Sequence, residues 1–246
     1  EAPEGELPPL IVNVHGGPTS AVRPGLQIPF QYWTSRGFAV LDVNFRGSTS
    51  FGRPYRERLN GNWGVMDVQD CIDGAQYLID LGRVDPRRIA IRGRSSGGFT
   101  VLNALASSDV FTAGASFSGI ADLAKLAETS HKFESHYDGI LLGTFDRSDP
   151  VWTQRSPINR VAEITAPLLL LQGTADPVVP ASQAQEMYEA LRANGSAVAL
   201  KLYEGEGHRF RSAVNIKDAL LSELAFYRTV WGIDTDNPVH VEIANL

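Results

Sequence analysis

Arg88-Ile89-Ala90-Ile91-Arg92-Gly93-Arg94-Ser95-Ser96-Gly97-Gly98-Phe99-Thr100-Val101-Leu102-Asn103-Ala104-Leu105 reads as a buried strand, a serine bounded by glycines, and a helix. The apolar run predicts a strand over 88–93, and the apolar stretch after Gly98 predicts a helix to about Ser107. Ser95 falls at the corner. A sharp strand-to-helix turn strains the backbone of its middle residue and pushes that side chain out above the sheet edge. Residues two before and two after the corner come close together, so Gly93 and Gly97 make steric sense because neither carries a Cβ. Ser95 is also expected to cap the helix, whose N-terminal N–H groups favour negative charge nearby.

This is the form of the nucleophile elbow of an α/β-hydrolase. Gly-x-Ser-x-Gly alone turns up by chance in roughly one chain in seven of this length and glycine content, so the surrounding chain must carry the fold. The 246 residues are 43% hydrophobic and 20% charged, a composition that buries a large core. One domain over 1–246 is expected. No apolar run approaches bilayer length, and a net charge of −6 argues against a nucleic-acid partner. Arg83, Arg87 and Arg88 are interleaved with Asp80 and Asp85 and read as a solvated loop. Cys71, the single cysteine, excludes an intrachain disulfide and a cysteine-based metal cage, and reads as a buried thiol on a helix.

Outward from the elbow, five more strands are expected: 10–14, 38–45, 113–118, 167–172 and 197–203. Val68, Cys71, Ile72, Ala75, Leu78 and Ile79 keep a period near 3.6 and predict a helix over 66–81. Shorter or less regular patterns predict helices over 27–36, 182–193 and 212–231. The stretch 122–157, with His131, Phe133, His136, Tyr137 and Trp152, has no clean period and reads as short helices and loops over the sheet edge. Six strands separated by helices imply a mostly parallel, doubly wound sheet with helices on both faces.

Open parallel sheets place reactive groups beyond the carboxyl ends of their strands. That rule selects Ser95, the loop Gly173-Thr174-Ala175-Asp176-Pro177-Val178-Val179-Pro180, and Glu204-Gly205-Glu206-Gly207-His208, in the chain order Ser, Asp, His. Serine needs a neighbouring base to take its proton, and that base needs a carboxylate to fix its tautomer and offset its charge. His208 and Asp176 fit these roles, with Asp122 the rival acid. Donors for the developing oxyanion are expected from the N–H of Ser96 and from the loop His15-Gly16-Gly17-Pro18, where Gly17 is chosen ahead of Gly16. Pro18 has no N–H to offer, and His15 reads as a brace for the loop. An apolar specificity pocket is expected from the 117–145 region with Val178 and Val179.

These motifs, with Asn44-Phe45-Arg46-Gly47-Ser48 and Trp63-Gly64 followed by Asp67 and Asp70, closely resemble the catalytic domain of the prolyl oligopeptidase family. The acylaminoacyl-peptidase and dipeptidyl-aminopeptidase branch is the nearest match. The resemblance implies Ser95 as nucleophile, Asp176 as acid, His208 as base, and Gly17 and Ser96 at the oxyanion hole. Members usually carry tyrosine or asparagine after the nucleophile, where this chain has Ser96; the N–H survives that change. The family also implies an N-terminal β-propeller, absent from this sequence, so that the chain is expected to be the C-terminal part of a longer one. The expected activity is hydrolysis of short peptides or aminoacyl derivatives through an acyl-enzyme, without cofactor or metal. An esterase or amidase using the same groups, and a non-catalytic hydrolase-like module, are the alternatives. A cytoplasmic location is expected, and a homo-oligomer is compatible with the sequence.

Overall fold

The computed structural model describes residues 5–129, 136–233 and 239–246; His131 and Phe133 lie outside them. In chain order the elements are β1 (Leu10–Val14), α1 (Ile28–Thr34), β2 (Ala39–Val43), α2 (Arg53–Arg56), α3 (Met66–Asp80), β3 (Ile89–Arg94) and α4 (Ser96–Ser107). They continue with β4 (Ala113–Phe117), α5 (Leu123–Thr129), α6 (Tyr137–Leu142), α7 (Pro150–Gln154), β5 (Leu168–Gly173), α8 (Ala181–Ala193), β6 (Val198–Tyr203) and α9 (Ala213–Val230). Short 3-10 turns at Glu57–Leu59 and Pro157–Glu163, like α2, had no periodic signal to announce them.

The six strands form one parallel sheet in the order β2-β1-β3-β4-β5-β6. Side chains alternate between its faces, as the two-residue period of a strand requires. Leu10, Val12, Val14, Ile89, Ile91, Leu168 and Leu170 join Cys71, Phe99 and Met187 in a core under α3, α4 and α8. Ile11, Ala90, Ala115, Leu169 and Leu171 join Trp33, Phe226 and Tyr227 in a second core under α1 and α9. Leu168–Gly173 is buried at every position, which explains why it reads as an unbroken apolar run. From Ser96 to Ala106 every residue of α4 is buried, so this helix shows no polar face.

The chain leaves β1 for β2 on one side and returns to β3 on the other. The loops after β1 and β3 therefore diverge and open a crevice beyond the strand ends. No helix among the described residues is long and apolar enough to cross a membrane. Asp85 is buried and pairs with Arg88 at 2.6 Å and Arg87 at 3.4 Å. The basic segment read as a solvated loop is thus anchored on a buried carboxylate. Cys71 is buried and free, and burial holds its thiol well above the ordinary range.

Candidate active site

β3 turns into α4 at Ser95, whose φ of 58° and ψ of −124° lie in a region that L-residues rarely adopt. The sharpness of the turn is set by its flanks. A Cβ on Gly93 would lie 2.5 Å from the carbonyl carbon and oxygen of Gly97, and one on Gly97 would run into the carbonyl oxygen of Val14. Ser95 N–H donates to Phe117 O at 2.9 Å, which ties the corner to β4. Ser95 occupies the N-cap position, but its side chain makes no capping bond. The expected cap is therefore absent. Among the described residues Ser95 Oγ makes no hydrogen bond, and it can rotate toward a base or an acyl carbon.

The His15-Gly16-Gly17-Pro18 loop lies against this corner. A Cβ on Gly16 would stand 2.8 Å from Arg94 O and 3.5 Å from Ser95 Cβ. Gly17, with φ of 132°, is exposed and can approach a substrate where a larger residue could not. His15 braces the loop. Its ring stacks on Phe45 at 4.3 Å, Nδ1 contacts Gly16 O at 2.9 Å, and Nε2 contacts Ser48 Oγ at 2.7 Å. A carbonyl only accepts, so Nδ1 carries the proton and Nε2 accepts from Ser48. Burial lowers the pKa of His15 and keeps it in this neutral form, against the opposing pull of the Gly16 carbonyl and of Asp42.

Asp176 and His208, 32 positions apart in sequence, meet beyond the ends of β5 and β6. His208 Nδ1 donates to Asp176 Oδ2 at 2.8 Å, and the Asp176 side chain is wholly buried. The other carboxylate oxygen accepts from Val178 N at 2.9 Å and Val179 N at 3.0 Å, and Gln172 Nε2 supplies a further donor at 3.2 Å. Burial pushes the Asp176 pKa up, but the His208 bond and the Val179 and Val178 N–H groups outweigh it, so the carboxyl stays below its ordinary range. An ionised Asp176 fixes the proton on Nδ1 and leaves Nε2 as a base. Ala175 N donates to Glu206 O at 2.9 Å, joining the two loops directly.

The rival acid is occupied elsewhere. Asp122 Oδ1 accepts from Lys125 N at 3.1 Å in the first turn of α5, and its backbone is held by Gln183. The expected specificity pocket needs a correction at Val179, which is 1% exposed and belongs to the core; Val178 is exposed. Successive residues after Asp176 turn opposite ways, one into the core and one out.

Several partners escaped the sequence reading. Gln172 was visible only as a polar end to an apolar run. Buried Glu206 accepts from Arg211 N, Ser212 N and Asn215 Nδ2 and so anchors the loop carrying His208 to the start of α9. Ser96 is buried and turned inward, with Trp63 Nε1 donating to its hydroxyl at 3.0 Å.

An elbow serine at the switch point of a parallel sheet, with a carboxylate-held histidine at the same edge, defines an α/β-hydrolase. The prolyl oligopeptidase family model matches residues 24–234, and the chain belongs to that family. It is 35% identical over 215 residues to dipeptidyl aminopeptidase BIII of Pseudoxanthomonas mexicana, covering 85% of this chain and 31% of the relative. It is 30% identical over 244 residues to the acylamino-acid-releasing enzyme of Mus musculus, covering 94% of this chain and 32% of the relative. A puromycin-hydrolyzing peptidase of Mycobacterium tuberculosis superposes with a TM-score of 0.96 at 46% identity, over 99% of this chain and 37% of that one. The chain thus spans about a third of the length of these relatives.

Proposed function

We propose that residues 1–246 form the catalytic domain of a serine peptidase that cleaves short peptides or aminoacyl and acylaminoacyl derivatives. The observation that carries this is the 2.8 Å bond from His208 Nδ1 to buried Asp176, which makes Nε2 a base at the sheet edge that holds Ser95. Ser95 Oγ attacks the acyl carbon while His208 Nε2 takes its proton. The carbonyl oxygen becomes an oxyanion that accepts from the N–H groups of Gly17 and Ser96. Collapse expels the amine, which leaves with the proton held by His208, and a water repeats the sequence on the acyl-enzyme. The relatives are named for release of dipeptides or acylamino acids and for puromycin hydrolysis, which supports an aminoacyl or acylaminoacyl carbonyl as the target.

The β-propeller is an implication of family likeness, and selection of short peptides would follow from it. One free, buried cysteine is compatible with a reducing, cytoplasmic setting. A fluorophosphonate probe tests the reading: the full-length enzyme should label and hydrolyse aminoacyl anilides, and Ser95→Ala should do neither. Labelling that persists in Ser95→Ala would assign the nucleophile elsewhere.

A further inference from the structure

Ser96 is the first residue of α4, and the first N–H groups of a helix have no intrahelical acceptor. The Ser95–Ser96 peptide is held on its carbonyl side, where Ser95 O accepts from Phe99 N at 3.0 Å, while its N–H is left without an intrahelical acceptor. Ser96 is held a second time at its other end. The residue is 3% exposed, and the hydroxyl accepts from the Trp63 indole N–H at 3.0 Å. Its carbonyl lies 3.1 Å from Thr100 Oγ1, and that hydroxyl donates in turn to Asp67 Oδ2 at 2.5 Å.

Trp63 is itself fixed on every side. It is 1% exposed, with its ring against Phe99 at 4.4 Å. Its backbone N–H donates to Leu141 O of α6 at 3.2 Å, and its backbone carbonyl accepts from Arg155 Nη1 at 3.0 Å. The same turn is gripped at Gly61, whose N–H donates to Ile140 O and whose carbonyl accepts from Arg155 Nη2, both at 3.0 Å. Asp67 closes the turn by accepting from Gly64 N at 2.7 Å.

We infer that Trp63 is a positioning residue for catalysis: its indole N–H, bonded to the Ser96 hydroxyl, adds a side-chain hold on the residue whose backbone N–H receives the oxyanion, beside the Phe99 bond to the Ser95 carbonyl. The inference rests on the reading of Ser96 N–H as an oxyanion donor. An inward-pinned hydroxyl also explains how a small residue serves in this place: Ser96 meets the core through its side chain and the substrate only through its backbone. The position of Trp63 follows that of α6, so the segment over the sheet edge and the oxyanion site are joined through one side chain.

The test uses the full-length enzyme, an aminoacyl anilide substrate, and the variants Trp63→Phe, Ser96→Ala and their double. Phenylalanine keeps the ring and removes the donor; alanine removes the acceptor. Each single variant should lower kcat about ten-fold with KM within two-fold of wild type, because a misaimed donor weakens only transition-state binding. The double should lose no more than either single variant. Affinity for a peptide aldehyde that forms a tetrahedral adduct should fall in the same proportion. Single variants with wild-type kcat, or changed only in melting temperature, overturn the inference, as does a double whose loss is the product of the two. Should Trp63→Phe fail to fold, Ser96→Ala alone decides by the same criteria. A wild-type enzyme that neither labels nor hydrolyses instead overturns the peptidase reading beneath it.

Discussion

Arg94 Nη1 donates to the backbone carbonyl of His208 at 3.2 Å, so the residue before the elbow serine holds the loop that carries His208. The guanidinium lies between the rings of Phe117 and Phe210, 5.5 and 5.4 Å from their centroids. Arg94→Met keeps the bulk and loses the donor. It should reduce kcat about three- to ten-fold, the effect of one hydrogen bond, with KM little changed. Steady-state kinetics on an aminoacyl anilide measures this, and an unchanged kcat would reduce the contact to packing.

The choice between the two candidate acids can be read directly from rates. Asp176→Asn leaves the shape of the site but no longer dictates which nitrogen of His208 carries the proton, and kcat should fall by about 10⁴. Asp122→Asn touches only the first turn of α5 and should stay within about three-fold of wild type.

Asp67 is buried completely, and that burial raises its pKa to about 6 against the bonds from Thr100 and Gly64, which lower it. The folded chain then keeps this proton to a higher pH than the unfolded chain, whose Asp67 titrates near 4. Between about pH 4 and pH 6 the folded state binds more protons, and this group's contribution to stability declines as pH rises. Asp67→Asn removes that dependence. Its stability relative to wild type should rise by up to about 3 kcal/mol from pH 4 to pH 6 and level off above it. Urea unfolding of both proteins across this range checks the sign; a parallel pair of curves would contradict it.

Gly97→Ala places a methyl against the Val14 carbonyl, which the β1 and β3 ladders cannot move aside. A loss of about 3 kcal/mol is expected, at the upper end for overpacking, visible as a lower urea midpoint. Activity should fall as well, since the displaced turn carries Ser95.

Much of the fold was legible because it is written in short-range patterns. The apolar run at 167–172, the 3.6-residue period over 66–81 and the glycines around Ser95 each report a local requirement of strand, helix or turn. The segments that escaped, such as α2 and the turn at Pro157–Glu163, are too short for any period to register. Asp176 and His208 were found by strand-end logic, which preferred Asp176 and left Asp122 as a rival, since both follow strands.

By itself the sequence determined the six strands, the longer helices, the strained corner at Ser95 and the order Ser, Asp, His along the chain, because periodicity and local sterics act within a few residues. Tertiary structure alone decided which strand ends became neighbours. That placement drew His208 to Asp176 and left Asp122 to α5, put Val179 in the core, tied Arg94 to the His208 loop, and set the Trp63 indole on Ser96 across 33 positions. Such contacts depend on distances through space between segments far apart in the chain, and no local pattern encodes them.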